Sequence, residues 1–248
     1  MHEHEPLIQR APLIDAATSA AFADAVCALR SHWIRRDAAA FYTFGAALYL
    51  DAPRAETLAQ FKREAPPADQ YAVHATRFNA LLETHFAPLY AALADALAML
   101  LDAPVRYAAG LARPGFHIYE HADLYAAQRG HVPHFDRQYE CTEWSAHDDI
   151  DFSSAISVTL PLRLPAAGGG LRVWDLNLFD VQAAGRIAAR ELASAAASCV
   201  HRYCAGELVC HRGHLLHQVA PWPSSASDQR ITLQAHGLYF DGAWQLYW

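Results

Sequence analysis

An α+β fold, helices packed against an antiparallel β-barrel or jelly roll, is predicted by three features of the sequence. The hydrophobic period changes from about 3.6 residues to 2 near residue 105. Gly and Pro clusters that mark turns punctuate the second part of the chain, whereas Gly is absent from Ala46 to Ala109. The 248 residues are 53% hydrophobic and 18% charged, which suits one compact domain with a large core. The expected organisation is therefore a single domain over 1–248, mainly helical through 1–104 and mainly β through 105–248.

The elements follow in chain order. A helix is expected from about Asp15 to Ala40, with Phe22, Val26, Leu29 and Trp33 on one face. A second amphipathic stretch carries Phe78, Leu81, Leu82, Phe86, Leu89, Leu93, Leu97, Leu100 and Leu101, and Pro88 is expected to kink or split it. Strands are expected at Val105 to Ala109 and Phe116 to Glu120. Ile156, Val158, Leu160, Leu162 and Leu164 then alternate as a half-buried strand, which Pro161 places at an edge or a bend. Leu171 to Trp174, Glu207 to His211, Leu216 to Ala220 and Arg230 to Tyr239 complete the strands, with an Ala-rich helix over Val181 to Cys199 between them. The turns are Arg113-Pro114-Gly115, Gly168 to Gly170 and Pro221 to Pro223.

Composition excludes several function classes. Nineteen basic against twenty-six acidic side chains give a net charge of −7, which argues against nucleic acid or an anionic membrane as a partner held by electrostatics. The longest run without a charge, Gly213 to Ser227, is 15 residues and holds two His and two Pro, short of the roughly 18 to 20 apolar residues of a spanning helix. The amino terminus lacks a signal-peptide pattern. Five cysteines at irregular spacing, with no CxxC, read as free thiols, and the expected location is the cytoplasm. A small molecule is the default ligand; the oligomeric state is open.

The chemistry is concentrated in His131-Val132-Pro133-His134-Phe135-Asp136. On an extended backbone residues i and i+2 point the same way, so His134 and Asp136 can present an imidazole and a carboxylate to one point. Eighty-one residues beyond Asp136 comes His217, in Gly213-His214-Leu215-Leu216-His217-Gln218-Val219-Ala220-Pro221, and thirteen further on Arg230 opens Arg-Ile-Thr-Leu-Gln-Ala-His. Two His and one carboxylate leave three positions of an octahedral ion open, the arrangement that non-haem Fe(II) oxygenases use. His214 and His211 compete with His217 for the distal position. His131 is either a further polar group in the pocket or a loop histidine.

This order, with Gly168-Gly169-Gly170-Leu171-Arg172-Val173-Trp174 between the ligand pairs, resembles the Fe(II)/2-oxoglutarate-dependent dioxygenases over about residues 105 to 240. The resemblance implies a double-stranded β-helix (jelly roll, cupin-like) core, with Fe(II) held by His134, Asp136 and His217. It also implies 2-oxoglutarate and O₂ as co-substrates, Arg230 gripping the distal carboxylate of the keto acid, and Thr232 donating to it. Arg-x-Ser/Thr is the family's usual pairing. Halogenating members replace the carboxylate ligand by a small residue, so Asp136 favours hydroxylation.

The length, the helical first part and the Gly-rich strand are similar to small bacterial enzymes that hydroxylate or halogenate free amino acids. That likeness implies substrate binding by Arg77, Glu120, His131, Arg172 and Trp244. Strand parity puts Tyr119 and Glu120 on opposite faces, and the sequence leaves open which one points inward. A hydrophobic natural product remains an alternative substrate, and a non-redox cupin-like binding protein an alternative function.

Overall fold

The computed structural model describes residues 8–36, 40–52, 70–120, 132–144, 150–222 and 228–248, without the side chains of 185–190. His131 and the His147-Asp148-Asp149 run lie outside the described residues. Among the described residues twelve strands are formed: β1 (Ile8–Pro12), β2 (Ile34–Arg35), β3 (Phe41–Phe44), β4 (Val105–Tyr107), β5 (Gly115–Glu120), β6 (Ile156–Arg163), β7 (Leu171–Asn177), β8 (Ser198–His201), β9 (Glu207–Arg212), β10 (Leu215–Val219), β11 (Gln229–Phe240) and β12 (Ala243–Tyr247). The helices are α1 (Ala16–Ala28), α2 (Leu48–Asp51), α3 (Gln70–Leu100) and α4 (Leu178–Ala195).

A nine-stranded sheet runs β1-β9-β6-β11-β5-β3-β2, with β12 paired to β11 and β4 to β12. All its pairings are antiparallel except β12 with β4. A three-stranded sheet runs β10-β7-β8. The fold is thus mixed α and β around a large antiparallel sheet.

Alternation along the large sheet sorts its residues onto two faces. Phe116, Ile118, Ile156, Val158, Leu160, Leu162, Leu208, Cys210, Ile231, Leu233 and Ala235 form one apolar cluster with Ala23 and Val26 of α1 and Phe78, Leu82, Phe86, Leu89, Leu93 and Leu97 of α3. The opposite face carries His117, Tyr119, Ser157, Thr159, His211, Arg230, Thr232 and His236, as the register requires. The small sheet covers part of that second face, where Leu171, Val173 and Leu215 pack with Val209 and Tyr203. Both faces of β6 are therefore buried, not one as expected.

Several expectations are corrected. The first helix ends at Ala28 and not near Ala40; it starts on Asp15, whose carboxylate accepts from the Thr18 backbone N–H at 2.7 Å. Beyond it, Phe41-Tyr42-Thr43-Phe44 pairs with β5, because an aromatic and β-branched run gains more from a sheet than from a helix. β1, β2 and β3 thus add strands from the supposed helical half. Pro161 does not mark an edge: β6 lies between β9 and β11. Its missing N–H is tolerated because pairing with β9 stops at Thr159, a bulge shifts the β11 register between Ile231 and Thr232, and the Pro161 carbonyl accepts from Gly206 N–H at 2.8 Å. The long helix α3 breaks as Pro88 predicts, with Phe86 at φ −129° and ψ 15°. Among the described residues no helix is long and apolar enough to cross a membrane.

Trp248 is fully buried against Gly115, where a Cβ would sit 1.9 Å from its Cζ3. Gly115→Ala is expected to lower stability by about 1–3 kcal/mol, read by urea unfolding, because neither strand β5 nor the indole can yield that much space. Wild-type stability in that variant would contradict the packing.

Candidate metal centre

His134, Asp136 and His217 converge, with one potential ligand atom from each lying within 4.8 Å of the others. Backbone pairing brings them together: His134 N–H donates to the His217 carbonyl at 2.9 Å and His217 N–H returns the bond at 3.0 Å. Asp136 N–H donates to Gly213 O at 2.8 Å, so the segment carrying His134 and Asp136 is stitched to both ends of the turn and strand that carry His217. Side-chain separations are 3.3 Å from His217 Nε2 to Asp136 Oδ2 and 3.8 Å from His134 Nε2 to Asp136 Oδ1.

Both imidazoles are set to use Nε2. His134 Nδ1–H donates to Val132 O and His217 Nδ1–H to Leu215 O, each at 2.8 Å, which leaves the Nε2 lone pair facing the carboxylate. Burial works against ionisation of Asp136, but His217, His236 and His134 together hold its carboxyl well below the usual carboxylate range. Burial likewise opposes charge on His217, and Asp136 overcomes it to raise the imidazole above its ordinary value. Two neutral-capable imidazoles and an ionised carboxylate form a donor set suited to Fe(II), and with no thiolate there is nothing to favour a structural zinc site.

The competing histidines are not part of the converging group. His214 bonds through Nε2 to the Tyr139 hydroxyl at 2.8 Å and packs edge-on to Phe179. His211 packs on His217 at 4.7 Å between ring centroids and donates from Nδ1 to its neighbour's carbonyl, Arg212 O, at 2.9 Å.

Arg230 is buried on the face of the large sheet that carries Ser157, His211 and His236, only 2% exposed. Its Nε donates to Gly169 O at 3.1 Å and its Nη1 to Thr232 Oγ1 at 3.4 Å, while the rings of Tyr119 and Tyr203 lie 5.6 and 5.8 Å from Cζ. Among the described residues no carboxylate pairs with it. Gly169 is at φ +71°, and this left-handed backbone is what the Gly-rich run contributes. Thr232 Oγ1 also accepts from Gln234 Nε2 at 2.8 Å, so its own proton remains to donate.

Of the expected substrate residues, the four that are described, Arg77, Glu120, Arg172 and Trp244, do not gather here. Arg77 is exposed on α3, because the buried stripe through Tyr71, Ala75, Phe78 and Leu82 leaves it on the outer side; its guanidinium sits over Phe78. Glu120 faces away from Tyr119: Arg30 Nη2 donates to it at 2.6 Å and Gln229 Nε2 at 3.1 Å. The parity left open by the sequence is thus resolved in favour of Tyr119, which stacks on Phe41 at 4.6 Å and lies under Arg230. Arg172 pairs with Gln218 and not with His217, which puts it on the outer face of β7, over Trp174. Trp244 shares with Leu246 the helix-side face of β12, beside Val105 and Tyr239; the residue of that strand turned toward the site is Tyr247, whose ring is 6.0 Å from His236.

No family model matches the chain, and no curated protein matches it. Among solved structures, an N-substituted L-amino acid dioxygenase from Burkholderia ambifaria AMMD aligns with a TM-score of 0.58 at 14% identity, over 97% of this chain and 86% of that one. The dioxygenase's complex with alpha-ketoglutarate aligns at 0.55 and 17%, over 97% and 85%. The non-heme alpha ketoglutarate dependent epimerase SnoN from nogalamycin biosynthesis aligns at 0.52 and 15%, over 93% and 80%. The chain shares the fold of non-haem, 2-oxoglutarate-dependent oxygenases. The resemblance carried by HxD, distal His and Arg-x-Thr agrees with these structural likenesses.

Sequence reasoning missed Gln138, Ser157 and His236, which surround the Asp136 carboxylate, and Tyr203, which flanks Arg230. His236 was within reach, since it lies an even six residues beyond Arg230 on one strand. Ser157 was hidden by the apolar residues on either side of it.

A pH dependence follows from His211, whose pKa burial pushes down to about 3 from the ordinary 6.5. Below 6.5 the unfolded chain takes up a proton that the folded chain refuses, so His211 makes stability fall on acidification, with a limiting slope of about 1.4 kcal/mol per pH unit. Between pH 7 and 4.5 the stability of metal-free wild type relative to His211→Leu should therefore decline in urea unfolding. A difference independent of pH would contradict a neutral buried His211.

Proposed function

We propose that the chain is an Fe(II)- and 2-oxoglutarate-dependent dioxygenase that hydroxylates an unactivated C–H bond of a small molecule. The observation that carries this reading is Arg230, a buried guanidinium without a carboxylate partner among the described residues, on the sheet face whose Ser157 and His236 adjoin Asp136 of the convergent His/Asp/His set. Leaving a charge buried and unpaired costs several kcal/mol. A dicarboxylate that chelates a metal at one end and meets Arg230 at the other relieves that cost. On this reading the two sheets are the two faces of a double-stranded β-helix.

The residues' tasks follow from their chemistry. His134 and His217 offer Nε2, and Asp136 supplies one negative charge, leaving three coordination positions for co-substrates. Arg230 presents parallel N–H donors to the distal carboxylate, Thr232 adds its hydroxyl proton, and Tyr119 and Tyr203 flank the guanidinium. With Fe(II) bound, 2-oxoglutarate and O₂ would supply the oxidising power to break the C–H bond, with succinate and CO₂ as co-products.

For the substrate, amino acids are the first class to screen, as the class on which the Burkholderia dioxygenase of the same fold acts by name. The charge pairs expected to bind one, Glu120 and Arg172 above all, do not face the metal centre. Aromatic residues nearby, Tyr119 beside Arg230 with Trp222 packed on it and Tyr247 beside His236, favour a larger aromatic or apolar natural product as the second reading.

Succinate release from 2-oxoglutarate, coupled to a panel of amino acids and aromatic metabolites, tests the proposal. His217→Ala should abolish iron-dependent turnover and His214→Ala should leave much of it. Arg230→Lys keeps the charge but loses the two-pronged grip, and should raise KM for 2-oxoglutarate by roughly 10- to 100-fold. An unchanged KM would remove Arg230 from its role.

A further inference from the structure

Asp136 is held by more than its backbone. Its Oδ2 accepts from Ser157 Oγ at 2.5 Å and its Oδ1 from Gln138 Nε2 at 2.8 Å. An ionised carboxylate only accepts, so at that contact Ser157 must be the donor. Ser157 Oγ also lies 3.3 Å from His236 Nδ1. With the serine proton committed to Asp136, the bond to His236 runs the other way, from Nδ1–H to the serine oxygen. A directed chain results, from His236 on β11 through Ser157 on β6 to the carboxylate, and all three residues are less than a tenth exposed.

We infer that Ser157 is the positioning residue for the metal site, with His236 orienting its hydroxyl and Gln138 steadying the opposite carboxylate oxygen. The inference rests on the metal reading above and goes beyond the three ligands. Asp136 comes from an irregular segment, not from either sheet, so backbone geometry alone leaves its side-chain rotation free. Donors on both oxygens fix the carboxylate plane and leave each oxygen a reduced set of lone pairs. Coordination through a single oxygen is then the natural outcome, and two oxygens on the metal would close one of the three positions that the chemistry needs open. The neighbourhood is shaped to admit this chain: a Cβ on Gly213 would sit 3.2 Å from Ser157 Oγ and 3.4 Å from Asp136 O, so the glycine of the turn before β10 leaves the serine its room. Partners of this kind orient ligands and raise their basicity, and their removal commonly weakens metal affinity by roughly 10- to 100-fold.

The test is anaerobic titration of the metal-free full chain with Co(II), followed by calorimetry and by the visible ligand-field bands, for wild type, Ser157→Ala and His236→Phe. Ser157→Ala should bind Co(II) roughly tenfold or more weakly and shift the bands, and His236→Phe should weaken binding by a smaller factor. A purely structural serine would change the melting temperature of the metal-free protein but neither Co(II) readout. A folded Ser157→Ala with affinity within about twofold of wild type and unchanged bands overturns the assignment. Should Ser157→Ala not fold, His236→Phe decides: unchanged affinity and bands overturn the chain of donors. If the wild type itself fails to bind Co(II), the metal reading falls and takes this inference with it, an outcome distinct from tight binding by all three proteins.

Discussion

A guanidinium sealed between two sheets is the constraint on which the rest of this structure turns. Arg230 is held by one carbonyl, one hydroxyl and two aromatic faces, none of which cancels its charge. Such an arrangement persists only if folding elsewhere is strong enough to carry it. The opposite face of the same sheet supplies that strength, in a continuous apolar cluster with α1 and α3. β11 thus does two jobs by alternation: Ile231, Leu233 and Ala235 anchor it to the helices, and Arg230, Thr232, Gln234 and His236 line the other side.

The second requirement is that groups from separate elements meet with little freedom left. Two main-chain bonds tie His134 to His217, one ties Asp136 to Gly213, and each imidazole is locked through Nδ1 to a carbonyl two residues before it. Preorganisation of this kind means that an incoming ion encounters ligands already turned toward it. The negative Asp136 among three histidines is the electrostatic counterpart, since neighbouring imidazoles hold the carboxylate ionised despite burial.

Much of this was legible in the sequence. Seven strands of residues 105–248, β4, β5, β6, β7, β9, β10 and β11, were expected close to where they form, β6 from period-two alternation, and the break in α3 from Pro88; β8 and β12 were not expected. HxD, a distal histidine and Arg-x-Thr named the groups that the fold assembles. What was not legible has physical reasons. β1, β2 and β8 are short and acquire strand geometry only by pairing with distant partners, and the amphipathic pattern of residues 15–40 hid the stop at Ala28. Glu120 and Arg172 were misplaced because each lies one residue from an inward neighbour, Tyr119 or Val173, and Trp244 because it lies three residues from the inward Tyr247. In a strand an odd step reverses the face.

The most direct test of the central claim is an anaerobic visible spectrum of the protein with Fe(II) as 2-oxoglutarate is added. If His134, Asp136 and His217 hold iron and Arg230 receives the far carboxylate, chelation by the keto acid produces a metal-to-ligand charge-transfer band that saturates with 2-oxoglutarate. The same titration with a monocarboxylate keto acid such as pyruvate, which cannot reach Arg230, should require much higher concentrations. No band at saturating 2-oxoglutarate, or equal response to both keto acids, would contradict the account.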